Sequence, residues 1–120
     1  MPERRTKTTR AKPSRPPARH REFVRRFHRL GEAWDSINEE GAAGPLDAKT
    51  QRLLKLAIAT GAMREGAVHS GVRKARDAGA TTAEMEQVVA LAASTIGLPA
   101  AVAVWSWMRD ETEGRRSRKR

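Results

Sequence analysis

The sequence predicts an all-α protein, a small bundle of about five helices that assembles as a homo-oligomer. Three observations carry that prediction. Apolar residues recur at three- and four-residue steps along most of the chain, and no strand-like alternation interrupts them. Glycine, proline and a Thr-x-x-Glu motif punctuate that period at the spacing of short helices. Several of the predicted helices are apolar on more sides than one small bundle covers, so part of that surface is expected between subunits.

Taken in order, Phe23, Phe27, Leu30, Trp34 and Ile37 step by four, three, four and three and form one stripe on a first helix near 20–40. Gly41 ends it, and Ala-Ala-Gly-Pro is a loop. Asp47 is the expected N-cap of a second helix bearing Leu53, Leu54, Leu56, Ala57 and Ile58, with Arg52 and Lys55 as its polar strip. Gly61 closes or breaks that helix. A third runs from about Met63 to Ala78, with Val68, Val72 and Ala75 on its apolar face and Gly79 as its stop. Gly66 and Gly71 inside it each cost about 1 kcal/mol against alanine, which implies close packing at both. Thr81 and Glu84 fit a capping box that opens a fourth helix, buried through Met85, Val88, Val89, Ala92 and Ile96. Gly97 stops it. Pro99 suits the first turn of a fifth helix over 99–112, apolar nearly all round from Ala100 to Met108.

Charge divides the chain differently. Residues 1–21 hold eight Lys/Arg, one acid and four of the six prolines, and 115–120 read RRSRKR. Between them, 22–114 carry eleven basic and thirteen acidic residues. The net charge of +10 therefore belongs to the ends. Segments so charged and so poor in apolar residues do not offset their ordering entropy by burial. The expected organisation is a disordered basic, Pro-rich tail over 1–20, one all-α domain over 21–113, and a second basic tail over 114–120. The N-terminal tail lacks the apolar stretch of a secretory signal, and its prolines oppose the amphipathic helix of a mitochondrial presequence. The longest apolar run, LPAAVAVW, is too short to cross a bilayer, so a cytoplasmic protein is expected. The absence of cysteine excludes disulfides and any thiol mechanism within this chain.

The order of features GPLDAKTQRLLKLAIA followed by REGAVHSGVRKARDAGATTAEMEQVVALAASTIGLPAAV resembles the carboxymuconolactone decarboxylase and alkylhydroperoxidase-D-like family. The likeness covers about residues 44–104 and is weaker over the first helix. It implies an all-α fold assembled as trimers, hexamers or similar rings. No cofactor is expected. Redox members of that family carry a Glu early in the second helix and a Cys-x-x-Cys-x-x-x-His motif on the third. Laid on this sequence without a gap, the Glu falls on Arg52, the first Cys on Arg64, the second on Ala67 and the His on Gly71. All four chemical positions differ. The decarboxylase branch also relies on polar residues at the Glu and His positions.

No catalytic residue is therefore assigned. Arg52 and Arg64 are candidates for binding an anion in the former pocket, because guanidinium forks match carboxylate and phosphate. The alternative is that each reaches solvent or pairs with an acid. Glu65 and His69 form a weaker candidate acid/base pair, which at i,i+4 spacing reads more simply as a helix-surface contact. His20, His28 and His69 have no metal-site spacing. Three functional readings follow. The first is a noncatalytic oligomeric scaffold or interaction protein. The second is nonspecific nucleic-acid binding through the basic tails, which neutralise phosphates without reading bases. The third is a divergent peroxidase or decarboxylase using other residues, against which the replaced positions argue.

Overall fold

The computed structural model describes residues 17–119, and side chains for 17–113. Its order is α1 (Ala18–Arg26), α2 (His28–Ala42), α3 (Ala48–Gly61), α4 (Glu65–Asp77), α5 (Thr82–Ile96) and α6 (Leu98–Lys119), with no strand among the described residues. Most of the expected tail over 1–20 lies outside the described residues.

Two helix starts follow from side-chain caps. Asp47 accepts a hydrogen bond from the Thr50 N–H at 2.8 Å and caps α3. Thr81 accepts from the Glu84 N–H at 3.0 Å while Glu84 accepts from the Thr81 N–H at 2.9 Å, a complete capping box on α5. Lys49 then reaches across at 2.9 Å to the other oxygen of Glu84, joining the first turns of α3 and α5.

Helices α3 to α6 make the bundle. Each of α3 and α6 packs on both α4 and α5, while α4 and α5 meet only weakly across the diagonal. Leu56, Val68, Val72, Met85, Val104 and Met108 fill the centre and are fully or almost fully buried. Burial of each such side chain contributes about 1.5–3 kcal/mol. The hydroxyl of Thr60 is buried with them, and its Oγ1 has no hydrogen-bond partner.

The stretch expected as one helix over 20–40 is instead two. Phe27, at φ −121° and ψ 68°, leaves the helical region. Its N–H still donates to the Phe23 carbonyl, and its own carbonyl accepts from Leu30 and Gly31, so one residue closes α1 and opens α2. Gly31 makes the corner feasible, since a Cβ there would stand 3.0 Å from Val24 Cβ. Together α1 and α2 form an arm that packs on itself and scarcely on the bundle.

Three further boundaries differ from the sequence reading. Helix α1 starts at Ala18, inside the span expected as tail. Gly61 is the last residue of α3, and the turn itself falls on Ala62 and Met63, so α4 starts at Glu65. Helix α6 continues to Lys119, through Gly114 and past the end expected at 112.

Candidate functional site

Both ends of the α3–α4 hairpin bear on the positions where the resemblance locates chemistry. At the turn, the Arg64 N–H donates to the Ala59 carbonyl and the Met63 N–H to that of Thr60. That pair of bonds is a Schellman motif, whose left-handed position is usually glycine. Here Met63 occupies it at φ 54°. The chain then enters α4 with Arg64 as its N-cap, exposed and making no side-chain cap hydrogen bond. A helix N-terminus favours negative charge and lowers a thiol's pKa. The backbone at 64 thus supplies the setting a thiolate would use, and the side chain there is a cation.

Ala67, one turn on, is exposed. Gly71 faces α3, where a Cβ would meet Leu56 Cδ1 at 3.4 Å and Leu56 Cα at 3.6 Å. Glycine here lets the two helices approach closely, as expected. Gly66 does not behave the same way: nothing lies within 4 Å of its Cβ position. The expectation of close packing at Gly66 is not met within this chain.

Arg52 sits near the other end of α3, half-buried beside a cleft under α2. Nine residue steps separate it from Gly61, about 13 Å of helix rise. Arg52 and Arg64 are therefore at opposite ends of the hairpin. The cations near Arg52 are Lys55, one turn along α3, and Lys74 on α4. Burial first, then the charges of Arg52, Lys55 and Arg73, hold the Lys74 ammonium below its usual range.

His69 points to a different neighbour from Gly71. Its Nδ1 lies 2.7 Å from Glu111 Oε2 on α6, and its Nε2 lies 3.4 Å from Glu65 Oε2. Arg73 reaches the same Glu111 oxygen at 3.1 Å. His69 is thus more than a surface residue: its side chain is 22% exposed and that of Glu111 15%. Burial raises the Glu111 carboxyl, but the hydrogen bonds from His69 and Arg73 outweigh it and hold that carboxyl below the usual range. The arrangement clasps α4 to α6. Glu111 lies 42 residues from His69 in sequence, and nothing in the local pattern of either helix announces their meeting.

The described residues contain no group of three or more His, Cys, Asp and Glu able to hold a metal ion, and none of their helices is long and apolar enough to cross a membrane.

The described residues thus form an all-α bundle whose third and fourth helices make this hairpin. The chain belongs to the carboxymuconolactone decarboxylase family, whose family model matches residues 25–110. That span takes in the whole of α2, the part where the resemblance in sequence is weaker. No curated protein and no solved structure matches the chain.

Proposed function

We propose that this chain is a noncatalytic, oligomeric interaction module of the carboxymuconolactone decarboxylase fold, whose α1–α2 arm packs against other subunits. One observation carries the reading. Phe23, Phe27, Leu30, Trp34 and Ile37 are all 45–61% exposed, although they are the arm's large apolar residues on either side of the Phe27 corner. An apolar surface of that extent on a soluble protein marks an interaction site. The same chain offers a surface suited to receive it. Leu53, Leu54, Val88 and Leu91 line an apolar groove of about 400 Å³ between α3 and α5.

Sedimentation velocity of the full chain tests this. A multimer is expected, and the double variant Leu30→Asp/Trp34→Asp is expected to sediment as a smaller species with the bundle still folded. A wild-type monomer at micromolar concentration sinks the proposal. Peroxide reduction with a dithiol donor is expected to show no turnover above buffer, since the chain holds no thiol.

A second reading has its own support in the charge of the ends. The Arg-rich first segment continues into α1 as Arg19, Arg21, Arg25 and Arg26. Multiplied by assembly, such arms bind phosphate backbones with avidity and steep salt dependence. Deleting residues 1–16 is expected to weaken salt-sensitive RNA or DNA binding; binding left unchanged by the deletion refutes a role for the N-terminal tail.

A further inference from the structure

The cleft between α2 and α3 combines an apolar wall with cations that lack partners among the described residues. Ile37, Leu46 and Leu54 supply the wall, Arg52 and Lys55 stand at its edge, and the space is about 350 Å³, within the range of small-molecule sites. Its shape is held from within. The Gln51 side-chain amide donates to the Ala42 carbonyl at 3.1 Å and to the Leu46 carbonyl at 2.8 Å, tying the α2–α3 loop to α3. Among the described residues, Arg52, Lys55 and Lys74 have no carboxylate within ion-pair distance, while nearby Arg73 is taken up by Glu111. Cations gathered beside an apolar wall repel one another, and an anion relieves that repulsion. Arginine adds a planar fork suited to carboxylate or phosphate oxygens.

We propose that this cleft binds an organic anion with a compact aliphatic body, its carboxylate or phosphate head held by Arg52 and Lys55 and its body against Ile37, Leu46 and Leu54. The site goes beyond the interaction role proposed above, shares Ile37 and Leu54 with the surfaces named there, and rests on that role only through the order of α2. Arg64, at the far end of α3, takes no part.

Isothermal titration of the full chain with octanoate, octyl phosphate, octanol and inorganic phosphate tests the assignment. Octanoate or octyl phosphate is expected to bind, and the tighter of the two identifies the preferred head. Octanol, which lacks the charge, and inorganic phosphate, which lacks the body, are each expected to bind about tenfold more weakly or less. Arg52→Ala is expected to weaken the better ligand about tenfold, with partial recovery in Arg52→Lys. Lys55→Gln, on an exposed surface, serves as a second variant should Arg52→Ala melt early. Arg64→Ala is expected to leave binding unchanged. Octanol binding as tightly as octanoate, no binding of either amphiphile up to millimolar concentration, or affinity indifferent to both Arg52→Ala and Lys55→Gln would overturn the proposal.

Discussion

Met63 and Gly79 occupy the same position in two consecutive helix ends, and only Gly79 is suited to it. After α3, the Arg64 and Met63 N–H groups donate to Ala59 and Thr60; after α4, the Ala80 and Gly79 N–H groups donate to Ala75 and Arg76. Both central residues have positive φ, 54° at Met63 and 100° at Gly79. A side chain there costs about 1–2 kcal/mol. Met63→Gly is therefore expected to raise stability by about 1 kcal/mol, net of glycine's larger unfolded-state entropy. Urea denaturation measures it, and a loss of stability would show that the Met63 side chain is held by contacts worth more than the strain.

Glu111 makes stability depend on pH in a stated direction. Its carboxyl is held below the usual range in the folded chain. The contribution is therefore complete above the unfolded value and is lost as pH falls through the folded one. Glu111→Gln is expected to cost about 1–3 kcal/mol at neutral pH. That difference should shrink once pH falls below the ordinary glutamate value of 4.5. Denaturation at neutral and acidic pH checks it; a gap that stays constant removes Glu111 from the acid limb.

Two glycines should respond oppositely to alanine. Gly66 has open space around its Cβ position, so Gly66→Ala is expected to add about 0.5–1 kcal/mol. Gly31 has Val24 Cβ at 3.0 Å and Cγ1 at 3.3 Å, so Gly31→Ala must push α1 away from α2. Faster tryptic cleavage at Arg25 and Arg26 is expected there, with the melting of the bundle unchanged. Destabilisation by Gly66→Ala would reveal a neighbouring subunit seated on that glycine.

Thr60 offers a fourth test. Its buried Oγ1 lacks a partner, and an unsatisfied buried hydroxyl costs about 1–3 kcal/mol. Thr60→Val keeps the shape and is expected to raise the melting temperature. A fall would mean the hydroxyl finds a partner in the assembled protein.

The starts of α3 and α5 could be read from the chain because they rest on contacts within three residues. Asp47 meets Thr50, and Thr81 meets Glu84. These caps also explain where the family resemblance is strongest. LDAKT and GATTAE hold the α3 and α5 first turns, and Lys49 of the one binds Glu84 of the other. The shared motifs are structural fasteners, so they do not depend on which residues stand at 52, 64, 67 and 71. The break at Phe27 was hidden because the apolar step of four and three runs straight through it, and the corner depends on a Val24–Gly31 contact. The Arg52–Arg64 grouping looked plausible because both fall at chemical positions; only the length of α3 separates them. The His69–Glu111 clasp was illegible for a different reason, being a tertiary contact between two helix faces that each look merely polar.

The arm has a consequence for how order is distributed. Its two helices lean on each other and hardly on the bundle, so little within a single chain opposes their unwinding. Helices of nine and fifteen residues are marginal in isolation. If subunits supply the missing contacts, the arm's helicity follows mass action. Dilution would then unwind residues 18–42 ahead of the bundle, and the circular dichroism of this protein would report its own concentration.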